Sequence, residues 1–317
     1  MEPRTISTKI AGVDVSKRWL DAVVHGAGEV RRFGNDASGL TGLLSWLGEA
    51  GVTRVGFEAT GGYERDLRER LEAAGLEAVM HQPLEVKLFA RIKRLRVKTD
   101  RSDALLIAAA TAQVDAVKAA ADPRLQALAE RLTAYEQISD QLAQMKTAME
   151  HVRLKDLAVQ MKAQMLSLKR FKDRLARQVI CAIKAQRDLA ERYELLTSLS
   201  GVGPIVAASL VVRMPELGKM RRGQAAALLG VAPFARESGQ WKGQRFIAGG
   251  RQRPRRMIYL AALSARRHDP GMRAIAERLA TAGKPPKVII VAIMRRLIEA
   301  ANLVLSRGQP WQRTAAA

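Results

Sequence analysis

The sequence predicts a mixed α/β domain, then long helices, then a mainly helical C-terminal region. Three observations favour this order: short strand patterns clustered near the N-terminus, alternating helix and strand patterns after them, and a long segment without glycine or proline. With 317 residues, 48% of them hydrophobic, the chain is long enough for two or three domains with buried cores.

The N-terminal segment predicts a three-strand meander. Thr8–Val15, Trp19–His25 and Glu29–Phe33 are rich in β-branched and apolar residues, and brief turns separate them. Alternating elements follow: helix Leu40–Ala50, strand Arg54–Glu58, helix Tyr63–Ala74, strand Glu77–His81, and helices over about Leu84–Arg94 and Asp100–Ala120. A meander followed by such alternating units is typical of a ribonuclease-H-like fold.

The segment from Arg124 to Ser200 predicts long coiled-coil helices. It contains no glycine or proline, and its apolar residues recur at spacings of three and four. The apolar stripe changes phase near residues 153–160, which predicts a break into two helices. An antiparallel hairpin and a dimer stalk both fit this pattern.

The charge predicts a polyanionic partner. Fifty-three Lys and Arg against 31 Asp and Glu give a net charge of +22, and residues 201–317 carry 16 of these positive charges. Nucleic acid is the default partner of such a protein, although solvated helix faces or a membrane surface would also use basic residues. No signal layout or spanning segment is present in the sequence, so we expect a cytoplasmic, nucleoid-associated protein without membrane contact.

Four acids could hold a metal ion. Asp14 lies in an apolar strand, Glu58 ends another strand, and Asp100 and Asp103 open a helix one turn apart, so the four could converge. A carboxylate buried without a cation would be costly, and carboxylate oxygen is the ligand that Mg²⁺ prefers. The lone Cys181 and four scattered histidines do not suggest a zinc site. Each acid taken singly has a structural explanation as well, such as a helix cap.

Two C-terminal features could serve DNA chemistry. Gly201 and Gly203 lie in a segment that resembles a helix-hairpin-helix, where glycines allow a backbone to approach a phosphate. Ser238 lies in a polar loop before a basic run, and neighbouring cations could stabilise charge if its hydroxyl attacked phosphorus. The basic residues predicted to contact nucleic acid are Arg236, Lys242, Arg245, Arg251, Arg253, Arg255 and Arg256.

Short motifs in a fixed order resemble the DEDD insertion-sequence transposases of the IS110 family. In the N-terminal half they are Ile10–Lys17 around Asp14, Phe57–Tyr63 around Glu58, and Lys98–Ala104 around Asp100 and Asp103. In the C-terminal half they are Leu199–Gly203, Ala225–Pro233 and Glu237–Gly239. The resemblance extends from residue 8 to about residue 305.

The resemblance implies a recombinase with three regions. They are a metal domain similar to the Holliday-junction resolvase RuvC at residues 1–122, coiled-coil oligomerisation helices at 123–193, and a C-terminal transposase domain at 194–317. It also implies that Asp14, Glu58, Asp100 and Asp103 bind Mg²⁺, with two ions in each site. Ser238 would form a covalent phosphoserine link to DNA, with acids from another subunit of a dimer or tetramer completing the site.

The resemblance further implies a structured guide RNA that pairs with target and donor DNA. Base pairing would then read the sequence, and the protein would recognise only backbone charge and helical shape. Two other functions stay open on the sequence alone. One is a structure-selective nuclease that uses the four acids and water. The other is a nucleic-acid scaffold whose acids are structural.

Overall fold

A computed structural model describes residues 9–93, 100–115, 122–235, 237–238, 241–243 and 245–312. For residues 100–102, 237–238 and 241–242 it describes the backbone alone. The chain forms two compact units, Met1–Ala120 and Ala121–Ala317. Each unit has its own hydrophobic core.

The first unit contains a mixed five-stranded sheet. The sheet has the order β3-β2-β1-β4-β5, with antiparallel pairs β1/β2 and β2/β3 and parallel pairs β1/β4 and β4/β5. Its strands are β1 Ile10–Val15, β2 Trp19–Val24, β3 Val30–Gly34, β4 Arg54–Glu58 and β5 Glu77–His81. The predicted meander and alternating units are confirmed in this sheet, which is consistent with a ribonuclease-H-like domain.

Helices connect and cover the sheet: α1 Ala37–Glu49, α2 Arg65–Ala73, α3 Pro83–Ile92 and α4 Asp100–Thr111. One face carries the core, because alternate residues such as Ala11, Val13, Val55 and Phe57 point the same way and are fully buried. Leucines of α1 and α2 complete this core.

The opposite face of the sheet packs against α4 at two glycines. A Cβ at Gly12 would collide with backbone atoms of Ala104 and Ala108, and one at Gly56 would collide with the side chain of Thr111. The backbone of α4 therefore approaches the sheet more closely than any larger residue at these two positions would permit.

The predicted end of α4 at Ala120 is wrong, because the helix ends at Thr111. The hydroxyl of Thr111 donates to the carbonyl of Ile107 at 2.7 Å, and turn residues follow. Arg54 of β4 then donates to the carbonyl of Val114 at 2.7 Å, which holds the chain away from a further helical turn. Alanine-rich sequence alone does not reveal this long-range anchor.

The second unit begins with an antiparallel hairpin of two long helices. α5 spans Pro123–Met149 and α6 spans Lys155–Lys184, so the predicted break falls at residues 150–154, slightly earlier than expected. Arg124 at the start of α5 donates to Gln186 and Asp188 just beyond the end of α6. Of the two arrangements left open by the sequence, the chain adopts the hairpin, and its assembly with a second copy stays a prediction.

The rest of the second unit packs around α8 and α12. Its elements are α7 Arg187–Thr197, α8 Pro204–Arg213, α9 Gln224–Leu229, the short strands β6 Pro233–Phe234, β7 Glu237–Ser238, β8 Trp241–Lys242 and β9 Phe246–Ile247, then α10 Gln252–His268, α11 Pro270–Thr281 and α12 Pro286–Arg307. Seven residues of α8 and ten of α12 are buried, so these two helices form the centre of the core.

Over the described residues, no helix combines the length and apolar character needed to cross a bilayer.

Candidate active site

Asp14 and Glu58 lie side by side on the sheet. The parallel register pairs Gly12 with Gly56 and Val13 with Phe57, and one further step sets Asp14 beside Glu58. Neighbouring strands are about 4.8 Å apart, and residues in register point to the same face. That face is the one covered by α4, because Gly12 and Gly56 lie on it two residues earlier in each strand.

α4 crosses the sheet on the same face as this acidic pair. Ala108 and Ala104 contact Gly12, whereas Thr111 contacts Gly56 and the chain beyond it reaches Arg54 at the opposite end of the strands. Ala104 also packs with Val23 and Val30 of β2 and β3, so the helix crosses the sheet from these strands toward β4 and β5. Asp103 precedes Ala104, and Asp100 begins the helix one turn earlier.

The side chain of Asp100 lies outside the described atoms, so the structure does not test the full set of four acids. Among the side chains that are described, no three Asp, Glu, His or Cys residues converge closely enough to hold a metal ion. The strand register places Asp14 beside Glu58, and α4, which begins at Asp100, covers the same face of the sheet. The role of all four acids as ligands stays a prediction.

A fifth acid, missed in the sequence, lies next to the pair Asp14 and Glu58. With it, the pair becomes a row of charged residues along one face of the sheet, the acidic row. Asp21 of β2 lies directly opposite Asp14 in the antiparallel register, and only 8% of it is exposed. Arg32 of β3 neutralises it with two hydrogen bonds of 2.8 Å, one to each carboxylate oxygen. The cross-strand position could have been found from the tight turn between β1 and β2, which fixes the register.

His81 of β5 stands at the other end of the row, in register with Glu58. Its Nε2 lies 2.8 Å from the hydroxyl oxygen of Thr111, whose own hydrogen is directed to Ile107. Nε2 therefore carries the proton and donates to Thr111. Burial lowers the pKa of His81 below its usual value, and the nearby Glu85 partly offsets this effect.

Two residues shape the loop that follows Glu58. The carboxylate of Glu64 accepts from the Thr60 amide at 3.1 Å, the Thr60 hydroxyl at 2.5 Å and the Gly62 amide at 2.8 Å. Burial works to raise the pKa of Glu64, but these hydrogen bonds outweigh it and the pKa is lowered. The Asn35 amide donates to the carbonyls of Ser16 and Tyr63, which joins the loops that follow β1 and β4.

Ser238 lies in a small β-ribbon of the second unit, and the prediction of a polar loop is wrong in this respect. Strand β7 pairs with β8 so that Ser238 is opposite Trp241, and β6 pairs with β9 outside them. Two-residue strands give too little alternation for a sequence pattern to reveal them. The structure describes only the backbone of Ser238, and its role as a nucleophile stays a prediction.

Gly201 serves internal packing. It has a φ of +84°, and a Cβ there would meet the carbonyl oxygen of Ala261 and the amide of Ala265 in α10 at 2.5 and 2.7 Å. Gly203 caps α8, and a Cβ there would meet no atom within 4 Å. Phosphate contact at either glycine is not tested, but the missing side chain of Gly201 is already required by the close approach of α10.

The predicted basic set divides into two groups. Four arginines have acceptors within the second unit: Arg251 binds Glu216 and the carbonyl of Arg213, Arg253 binds Glu136, Arg255 binds the carbonyls of Gly230 and Gly249, and Arg256 binds Asp140. Arg245 is exposed at the rim of a groove. The side chain of Lys242 and the whole of Arg236 lie outside the described part of the chain. Nucleic-acid contact by these seven residues stays a prediction.

Comparison with known proteins identifies relatives over nearly the whole chain. The pilin gene-inverting proteins of Moraxella bovis and Moraxella lacunata are each 24% identical to it over 327 residues. Each alignment covers 97% of this chain and 99% of the relative.

Two family models match in succession. Residues 11–157 match the DEDD transposases of IS110 type, and residues 193–277 match the transposase family IS116/IS110/IS902. The first match contains Asp14, Glu58, Asp100 and Asp103, and the second contains Ser238. Together the matches cover well over half of the sequence, in the order that the short motifs indicated, and the chain belongs to the IS110-type transposase family.

Proposed function

We propose that this protein breaks and rejoins DNA strands through a covalent serine link, with the acidic row of the first unit as its metal site. The observation that carries the proposal is the placement of Asp14 beside Glu58 at the ends of adjacent strands, on the face of the sheet that α4 covers. Membership of a transposase family supports DNA as the substrate.

The residues of the row fit Mg²⁺. Adjacent carboxylates provide hard oxygen ligands, and Mg²⁺ commonly uses one or two of them while water and substrate phosphate complete its shell. Asp14 and Glu58 would hold the ion or ions, with Asp103 and Asp100 at the first turn of α4. Bound Mg²⁺ would supply charge stabilisation for the oxygens of the reacting phosphate. Arg32 already neutralises Asp21, so the proposed ligands within the row are Asp14 and Glu58 at its centre.

Ser238 would supply the nucleophile. Its hydroxyl oxygen attacks phosphorus, a P–O bond to one DNA strand breaks, and the released strand end leaves as a hydroxyl that takes up the proton. The phosphoserine ester retains the phosphate as an activated group, and a hydroxyl from another strand then displaces the serine. One P–O bond forms for each that breaks, so strands are exchanged without an external energy source.

Such chemistry is suited to DNA inversion, the activity named for the Moraxella relatives, because inversion must rejoin every end that it creates. We further propose that a structured RNA selects the two DNA sites by base pairing and that the working form is a dimer or tetramer at the nucleoid. The strong positive charge of residues 201–317 is compatible with binding both DNA and RNA backbones.

The test is a denaturing gel of labelled DNA containing the joined element ends, incubated with protein, Mg²⁺ and RNA transcribed from the same ends. We expect the wild-type protein to form a protease-sensitive adduct with DNA and recombinant strands. Ser238→Ala should form neither while retaining its affinity for DNA. Ser264→Ala, which removes an exposed hydroxyl from α10, is the matched control and should behave as wild type.

Two outcomes would contradict the proposal in different ways. Mg²⁺-dependent nicks that Ser238→Ala leaves unchanged would indicate a nuclease that uses water. Binding without any nicks or adducts in wild-type protein, with full RNA and Mg²⁺, would indicate a scaffold. Recombination that persists without RNA would remove only the RNA guide from the proposal.

A further inference from the structure

A large open groove of about 1770 Å³ lies in the second unit, with Arg245 on its rim. Its walls come from α10, α11 and α12, strands β6 and β9, and the chain on either side of α9. Its apolar surface includes the aromatic rings of Phe246, Tyr259 and Trp311. Phe246 and Tyr259 are 46% and 40% exposed, so two of these rings present substantial area to a ligand.

Six cations line the same groove: Arg222, Arg245, Arg278, Lys287, Arg295 and Arg296. All six are exposed, and none forms an ion pair with another described residue. They differ in this respect from Arg251, Arg253 and Arg256, whose charges are paired with acids of the fold. The groove therefore carries six charges that are available for a ligand.

The acids at the groove already serve the fold. Asp269 accepts a hydrogen bond from the amide of Met272 and so caps α11, and Glu299 accepts from the amides of Gly223 and Ala226. These carboxylates hold the walls together, and the cations of the lining outnumber them three to one. An anionic ligand is favoured over a neutral or cationic one.

We propose that this groove binds unpaired nucleotides, with phosphates on the basic residues and bases on the aromatic floor. A continuous duplex hides its base faces in the stack and would leave an apolar floor uncovered, whereas a single strand offers them for stacking. The inference rests on the proposed function only in that strand exchange and a structured RNA both generate unpaired nucleotides. Displaced DNA and RNA share the required chemistry.

A second copy of this chain fits the groove less well. An interface between identical faces in a two-fold dimer would set the six cations of one copy against those of the other. Like charges brought together without intervening acids oppose association. The cations and the aromatic rings therefore favour a nucleic acid.

The test measures equilibrium binding of labelled 20-nucleotide single-stranded DNA, single-stranded RNA and duplex DNA by anisotropy, in the Ser238→Ala background and in EDTA. This background separates the inference from the strand chemistry, which can fail without affecting the measurement. The groove variant is Arg278→Ala with Arg295→Ala. Its control is Arg266→Ala with Arg267→Ala, which removes two exposed cations from α10 outside the groove.

We expect the groove variant to weaken single-strand binding by roughly tenfold or more and to lower the slope of log affinity against log salt by about 1.4. The control should retain the wild-type slope. Tyr259→Ala should weaken single-strand binding by roughly tenfold and duplex binding far less. Tighter binding of DNA or of RNA identifies which of the two occupies the groove, and either result supports the inference.

Equal losses in the groove variant and the control would overturn the inference, because net charge would then explain the binding. It would also be overturned if the groove variants changed the molar mass in solution and left single-strand affinity unchanged. That result would assign the groove to a protein interface. Melting temperatures within a few degrees of wild type establish that each variant is folded.

Discussion

At the scale of single residues, the candidate site depends on charges placed side by side on one face of a sheet. The row runs from the Arg32–Asp21 pair through Asp14 and Glu58 to His81. The two ends have opposite properties, since a paired carboxylate lies at one and a buried neutral imidazole at the other. The centre of the row is the part that we assign to metal and phosphate.

Asp14→Asn should abolish strand cleavage and leave the fold intact. The substitution keeps the shape of the side chain and removes the charge that would hold Mg²⁺. We expect the melting temperature to stay within a few degrees of wild type and adduct formation to fall at least a hundredfold. Asp66→Asn, on the exposed side of α2, should change neither quantity. A large fall in melting temperature without Mg²⁺ would instead identify Asp14 as a structural residue.

His81 should make stability depend on pH. Its pKa is lowered in the folded state, so the unfolded chain takes up a proton more readily and the folded state loses stability as pH falls below about 6.5. The stability that neutral His81 contributes to the folded state returns as pH rises above that value. We expect His81→Gln to remove this part of the pH dependence when melting temperatures are compared between pH 5 and pH 8. Parallel curves for wild type and variant would show that His81 does not titrate differently on folding.

At the scale of elements, the first unit depends on the close approach of α4 to the sheet. Gly12→Ala should force the backbone of α4 outward and destabilise the unit by about 1–3 kcal/mol. It should also reduce cleavage, because α4 carries Asp100 and Asp103 and its displacement would move these two proposed ligands. Gly48→Ala is the control: no atom is near its added Cβ, and alanine should stabilise α1 by about 0.5–1 kcal/mol. Normal activity in Gly12→Ala would show that the distance between helix and sheet is not critical.

The second unit depends on an ion cluster in which one buried carboxylate joins three helices. Glu136 of α5 is 7% exposed and contacts Arg213 of α8 at 3.3 Å and Arg253 of α10 at 2.6 Å. Glu136→Gln would leave two arginines without their carboxylate, and we expect a loss of about 3 kcal/mol in the free energy of unfolding. Chemical denaturation measures it, with the exposed Glu150→Gln as the control. An unchanged midpoint would show that the cluster adds no net stability.

The same cluster shows which part of the candidate site the sequence does not predict, namely which basic residues are already paired within the fold. Strands, helices and the acids at their ends follow from local patterns, so Asp14, Glu58 and the helix at Asp100 could be placed in advance. Arg253 and Arg256 instead read as part of a basic run, because their partners Glu136 and Asp140 lie more than a hundred residues earlier in the chain. Pairing between distant elements depends on packing that periodicity does not encode.

At the scale of the whole molecule, the acids and the positive charge belong to different parts of the chain. The acidic row lies in the unit Met1–Ala120, whereas residues 201–317 carry 16 of the 22 net positive charges. Binding of a polyanion and charge stabilisation at the reacting phosphate can therefore be separated experimentally. The first requires cations and low salt, and the second requires the metal.

Removal of Mg²⁺ with EDTA should accordingly stop cleavage and leave most DNA binding in place. Counterion release from the phosphates depends on Lys and Arg side chains, so we expect affinity in EDTA to stay within about threefold of its value in Mg²⁺ at matched ionic strength, with a steep salt dependence in both. Anisotropy and the denaturing gel, run on the same samples, measure the two quantities. If EDTA abolished binding as well, the metal site would have to contribute to recognition of the DNA, and the acidic row would be part of the binding surface rather than of the chemistry alone.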